Sequence, residues 1–187
     1  MASINATTSS GIVATADNTG QLALQAAGTT IATISSTGLT MNSGNIIQAS
    51  GAAPAFSAYK SGSNQSITSG TYTKVTFNTE NFDTNNNFAS STFTPTVAGY
   101  YQINGRVDAE TSGSITRLLI AIWKNGSEAT RGGDILAGNA VVVSDVIYCN
   151  GTTDYLEIYT YMLGTSLVAR AASFNNTYFS GSMVRSA

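Results

Sequence analysis

The sequence predicts an all-β protein: an antiparallel jelly-roll sandwich of eight to ten strands, preceded by a shorter β-rich segment. Three observations carry this. No amphipathic 3.6-residue pattern persists, which removes helices of normal length. Runs rich in β-branched and aromatic residues recur at short intervals between clusters of Gly, Asn and Ser. Two of those clusters, Lys124-Asn125-Gly126-Ser127 and Cys149-Asn150-Gly151-Thr152, are hairpin signals, because Asn-Gly supplies the positive φ values of a type I′ turn.

Residues 1–50 differ in kind from the remainder. They hold no aromatic residue and one charge, Asp17, whereas every aromatic side chain lies between Phe56 and Phe179. Short extended runs at Ile12–Thr15, Gln21–Leu24, Thr30–Ile34 and Leu39–Met41 alternate with glycines, and Asp17–Gly20 and Ser36–Gly38 read as turns. These apolar residues are too few for a monomeric core. The segment is therefore either disordered or bound to a partner, or it completes its core with copies of itself. The β-branched runs favour order, and a threefold β-stalk that drives oligomerisation is the natural form. Residues 51–54 are a small-residue linker, and 55–187 form the head.

In FTPTVAGYYQINGRV, residues 93–107, Thr94-Pro95 closes one extended segment, since proline cannot donate to a ladder. Val97-Ala98-Gly99 is a turn in which Gly99 is free to take a positive φ. Tyr100, Gln102 and Asn104 then alternate with Tyr101, Ile103 and Gly105, giving a strand with unlike faces. Ile115–Trp123 and Ala140–Tyr148 are nearly continuous apolar runs, expected to be covered on both faces.

Taken in order, Ala55–Tyr59 with its AFSA opening, Thr73–Asn78 followed by Asn81–Asp83, the TVAGYYQINGRV strand, the Lys-Asn-Gly tip at 124–126, DYLEIY at 154–159 and YFSGSMV at 178–184 resemble the opening strand, the next strand and loop, a middle strand, a hairpin tip, the penultimate long strand and the closing strand of the globular head of the complement C1q and tumour necrosis factor superfamily. The version resembled is the one common in phage and bacterial proteins. Thr92 departs from it, standing where many members carry a glycine before the phenylalanine. The glycine-and-strand pattern of residues 1–50 resembles segments that precede the heads of phage fibre proteins. The resemblance implies a homotrimer assembled side by side about a threefold axis, with one apolar face of each sandwich buried.

Composition narrows the function. Charged residues are 10% of the chain against about 25% in an average globular protein. The net charge of −2, with Lys and Arg scattered singly, gives no footprint for nucleic acid. No apolar run approaches a membrane span, and the first ten residues lack the pattern of a secretory signal, so the expected setting is a virion released by lysis. Cys149 has no cysteine to pair with and reads as a buried thiol. The chain has no histidine, which removes the commonest general base and the usual zinc and copper ligands. Asp108 and Glu110, two apart on one strand, are the only close carboxylate pair of interest for glycoside hydrolysis, and a solvated strand end next to a Thr-Ser-Gly turn is the strongly favoured reading of them. No enzyme activity and no cofactor are expected. Calcium is the remaining ionic candidate, with Asp83, Asp108, Glu110, Asp134, Asp145 and Asp154 as possible ligands, although no loop shows a D-x-D-x-D density.

Tyr100, Tyr101, Tyr155, Tyr159, Tyr161 and Phe179 are the candidates for core and trimer interface, with a sugar platform as the competing use of the tyrosines. The resemblance implies that the two tyrosine-bearing strands lie near each other. Receptor residues are not identifiable singly, and the candidate loops are 61–70, 80–91, 111–114 and 129–138. The expected function is a homotrimeric phage tail-fibre or appendage protein. Its partners are its own copies, other virion proteins through residues 1–50, and a host-surface glycan or protein. A capsid-decorating or tail-assembly protein with a stabilising head is the alternative; a cellular C1q-like lectin and a depolymerase rank lower.

Overall fold

The computed structural model describes residues 22–27, 29–36, 38–41, 53–172 and 175–187. The chain divides into two units, residues 1–50 and 51–187. In the first, β1 (Leu22–Ala26), β2 (Thr29–Ser35) and β3 (Gly38–Met41) form an antiparallel sheet in that order. Leu22, Ile34 and Leu39 stand in one cross-strand row, and they and Leu24 are at least a third exposed. One face of this small sheet is thus apolar and uncovered. The run at 12–15, the turn at 17–20 and linker residues 51–52 lie outside the described residues.

The second unit contains thirteen hydrogen-bonded segments among its described residues, eight of them five residues or longer. In chain order they are β4 (Ala55–Tyr59), β5 (Gln65–Ser66), β6 (Thr73–Lys74), β7 (Thr79–Asp83), β8 (Phe88–Ala89), β9 (Thr92–Phe93), β10 (Gly99–Thr111), β11 (Ile115–Lys124), β12 (Ser127–Ile135), β13 (Ala140–Cys149), β14 (Leu156–Gly164), β15 (Leu167–Ala169) and β16 (Tyr178–Ser186). All pairings are antiparallel, and two sheets face each other as a jelly-roll sandwich. The front sheet runs β13-β10-β16-β4-β7, with β15 and β5 continuing beside the end of β10. The back sheet runs β12-β11-β14, then β6 and β9-β8.

Between the sheets the core is aromatic at its centre. Phe56 of β4 stacks on Phe93 with ring centroids 4.3 Å apart and meets Phe179 of β16 edge-on at 4.8 Å. Phe93 in turn meets Tyr101 of β10. Ile103, Leu118, Ile120, Ile122, Ile158 and Met162 complete it, all fully buried. Tyr101 keeps its phenol dry by donating to the Val97 carbonyl at 2.6 Å.

Several expectations hold and several need correction. Asn125 and Gly126, with φ of 53° and 80°, make the turn between β11 and β12. Asn150-Gly151 is not a hairpin, because β13 and β14 belong to different sheets. There the Asn150 side chain accepts the Thr152, Thr153 and Asp154 N–H groups and shapes a crossover. Gly99 does not take a positive φ; it is the buried first residue of β10. Its glycine is needed because a Cβ would meet the Arg185 carbonyl at 2.5 Å. Of Thr73–Asn78 only two residues are strand, and Thr92 begins β9 while Ser90 and Ser91 take up the positive φ of the turn before it. The loop expected at 80–91 contains β7 and β8, and that at 129–138 is mostly β12.

The most informative correction concerns the two apolar runs. β11 is buried on both faces, as expected. β13 is not: its residues alternate buried and exposed, and Val142, Val146 and Tyr148 point outward from the front sheet.

Burial pushes the Tyr101 phenol up to about 12 and the Cys149 thiol up to about 11, from 10.0 and 9.0. Both folded values lie above the unfolded ones, so the folded state holds more protons between pH 9 and 12 and loses stability as pH rises through that window. Thermal melts followed by circular dichroism should show a constant midpoint between about pH 6 and 9 and a steady fall above that. Tyr101→Phe should cost about 1 kcal/mol at pH 7 and flatten part of that fall.

Candidate functional site

β10, thirteen residues long, and the strands β16 and β4 beside it give the sandwich two distinct ends. At one end lie Pro54, whose carbonyl accepts the Met183 N–H, and Ala187, whose N–H reaches the Ala98 carbonyl. At the other end three segments converge: 61–70 after β4, 111–114 after β10, and 164–168 between β14 and β15. Two of the loops anticipated as receptor contacts, 61–70 and 111–114, are therefore adjacent in space. The third segment had no sequence signal. The turn at 136–139, with Leu136 four-fifths exposed, lies at the same end beside Ala109 but outside the groove. The turn at 84–87 is at the opposite end, next to Ala55.

Together the three segments enclose an open groove of about 470 Å³ floored by Ile67, Leu167 and Val168 and rimmed by Ser66, Ser69, Ser112 and Ser166. A second lobe of about 310 Å³ adds Asn64 and Glu110. The walls are cross-clamped. Thr165 N–H donates to the Ser114 carbonyl at 2.9 Å and Thr111 Oγ1 to the Thr165 carbonyl at 2.6 Å. The Ile67 N–H donates to the Leu167 carbonyl, and the Gly164 N–H to Ser69 Oγ at 3.2 Å. Gly164 is indispensable here: with φ of 144°, any Cβ would lie 1.9 Å from the Ser114 carbonyl oxygen.

A second feature is the outward face of the back sheet. Trp123 and Tyr159 stack at 4.1 Å and 18°, and Tyr72 tilts against both Trp123 and Tyr161. Around them Arg117 forks onto Asp134, Arg131 forks onto Glu128, and Lys74 meets Glu157 at 2.5 Å. The Arg117 hydrogen bond holds the Asp134 carboxyl below its usual range. These rings engage one another, and Arg117 lies over Tyr161, so their faces are largely occupied. Their evident work is to cover Leu119 and Ala121, which are buried on this side of β11.

The third feature is the outward face of the front sheet. Tyr100, Val146, Tyr148 and Val184 are each more than two-fifths exposed and lie beside one another at the Pro54 end. A groove of about 540 Å³ runs between Tyr100, Val146 and Val184. Further along the face Gln102, Asn104 and Ser144 bond to each other.

The anticipated aromatic residues thus separate. Tyr101 and Phe179 are core; Tyr100 faces out from the front sheet; Tyr159 and Tyr161 sit on the outward face of the back sheet. Tyr155, half-buried, precedes β14 beside the Gly126 turn. Contrary to expectation the two tyrosine-bearing strands are not neighbours, because β10 and β14 belong to opposite sheets.

The calcium candidates also disperse. Asp83 accepts from Asn85 and Phe88 N–H, Asp108 from Arg106, Glu110 from Asn64, and Asp145 from Thr130 and Val146 N–H. Asp154 is held below its usual range by Asn125 and Lys124. Among the described residues no three carboxylates come together. Asp108 and Glu110 likewise serve different partners.

No family model and no curated protein matches the chain. Among solved structures, murine APRIL at pH 5.0 superimposes with a TM-score of 0.50 at 10% identity, over 71% of this chain and 99% of that one. The globular domain of the zebrafish complement 1qA protein matches at 19% identity with a TM-score of 0.49, over 72% of this chain and 99% of that one. The likeness is one of fold: the chain carries a C1q/TNF-like jelly roll. Among the described residues no helix is long and apolar enough to cross a membrane.

Because its rings cover the back of β11, Trp123→Ala should lower stability by about 2–3 kcal/mol in urea titrations. Arg117→Ala, which removes an ion pair a third exposed, should leave the urea midpoint almost unchanged.

Proposed function

We propose that this protein is a homotrimeric, non-enzymatic appendage of a phage virion, whose head binds a receptor or glycan on the host surface. The observation that carries the reading is the outward face of β13 and β10. A strand whose sequence is apolar on both faces is covered on only one within the chain, and the uncovered residues, Tyr100, Val146, Tyr148 and Val184, are contiguous. Soluble monomers seldom leave such a patch open. Side-by-side packing of three heads would bury it, and the C1q and TNF-like fold is one that assembles in this way.

The rest of the molecule supports the same reading. The uncovered Leu22, Leu24, Ile34 and Leu39 of the N-terminal sheet suit a threefold stalk that also joins other virion proteins. The clamped groove lies at the end of the head opposite Pro54, where a receptor contact on a projecting head would be. Three copies on one axis multiply weak contacts through effective concentration. A low-charge surface of Ser, Thr and Asn, as here, suits an extracellular particle.

Light scattering of the full chain should give three times 19.3 kDa. Val146→Asp places a charge on a residue that is exposed in the single chain, so it should fold and yet yield 19.3 kDa. A wild-type monomer would overturn the assembly; a trimeric Val146→Asp would move the interface off this face.

A further inference from the structure

We infer that the groove between segments 61–70, 111–114 and 164–168 is a saccharide subsite, and that the sugar it takes is uncharged. This deepens the receptor-binding reading and rests on it.

Four observations lead there. The first is unused hydrogen-bonding capacity. The hydroxyls of Ser66, Ser112 and Ser166 rim the groove and none is engaged within the chain, whereas the Thr111 and Ser69 hydroxyls beside them are. A hydroxyl both donates and accepts. Several such groups lining one space match a ligand whose own groups are equally ambivalent, which is the character of sugar hydroxyls.

The second is the floor. Ile67 and Leu167 are buried and Val168 is half-buried, so an apolar strip lies beneath the polar rim. A pyranose has the same division, with a C–H face and an equatorial belt of hydroxyls.

The third is rigidity. Segment 111–114 is clamped to 164–166 through Thr111, Ser114 and Thr165, and segment 61–70 is clamped to 162–167 through Ile67, Ser69 and Gly70. Ser166 is itself held at a φ of 54°. Loops already fixed in place lose little entropy on binding, which matters most for weakly bound ligands such as sugars.

The fourth is charge. Among the described residues no Lys or Arg side chain lines either lobe, and the one charged group that does is the Glu110 carboxylate, which accepts from Asn64 at 3.1 Å and lies 3.9 Å from Arg170. An anionic sugar would meet that carboxylate, and the Arg170 guanidinium beside it is not part of the lining of either lobe. The aromatic shelf of the back sheet, by contrast, has its ring faces occupied and its cations forked onto carboxylates, so it is not the site.

The test uses the full-length protein on immobilised oligosaccharides of four kinds: neutral hexose, N-acetylhexosamine, sialylated and uronate, with host cells as a parallel target. Ser112→Trp and Ser166→Trp fill the groove from exposed positions; Trp123→Phe, on the shelf, serves as the comparison. Binding to neutral or N-acetylated sugars, reduced at least tenfold by both groove variants and unchanged by Trp123→Phe, is the expected result. Preference for sialylated or uronate sugars would overturn the charge argument. Cell binding that both groove variants retain would overturn the groove while leaving the receptor-binding reading intact. Cell binding that is lost in the groove variants but unmatched by any sugar would replace the saccharide by a protein receptor. No binding of the wild type to cells or sugars would overturn both readings. Circular dichroism melts keep misfolded variants from being scored as loss of binding, and Glu110→Gln, a change of one charge, should raise affinity for uronates if the carboxylate excludes them.

Discussion

The head is organised around one strand that must be dry on one side. β10 runs unbroken for thirteen residues and hydrogen-bonds on one edge to β13 and on the other to β16 and then β15. Its inward residues Tyr101, Ile103 and Val107 are fully buried, and the two strands beside it take their register from that burial. A slip of one residue would turn Tyr101 and Ile103 outward and bring Tyr100 and Gln102 into the core. The back sheet then closes against this fixed surface through Ile120, Ile158 and the Phe56–Phe93 stack. Everything displayed outside is a consequence: the apolar patch at one end of the front face, the clamped groove at the other, and the ring layer behind β11.

What could be read from sequence was whatever depends on neighbours along the chain. The alternation in Tyr100–Gly105 gave the two faces of β10 because period two is local. Asn125-Gly126 gave its turn because both residues sit between strands that pair with each other. The same dipeptide at 150–151 misled, since nothing local says that the strand before it and the strand after it belong to opposite sheets. Gly99 was singled out correctly for the wrong reason. Its need for a glycine comes from Arg185, eighty-six positions away, and no local pattern reports a distant carbonyl.

The candidate groove was half legible for the same cause. Two of its three segments stood out as loops, but their adjacency is made by β4 and β10 ending on the same side. The third, around Ser166, lies in an ordinary Gly-Thr-Ser stretch whose backbone strain and free hydroxyl appear only once the fold sets them. The tyrosines show the converse. Their abundance was plain, yet their division among core, front face and back face depends on which sheet each strand joins.

The pairing of β4 with β16 has a consequence for synthesis. The first strand of the head lies between β7 and the last, and β10 likewise takes β16 as a neighbour. A nascent head therefore holds two strands with open edges until β16 has left the ribosome. Folding of the sandwich waits on β16, and pairings so distant in sequence form slowly. During that interval the edges of β4 and β10 are templates for other chains. Several copies made on one message would then meet with edges exposed, so the moment of greatest risk of tangling is also the moment when copies are closest together.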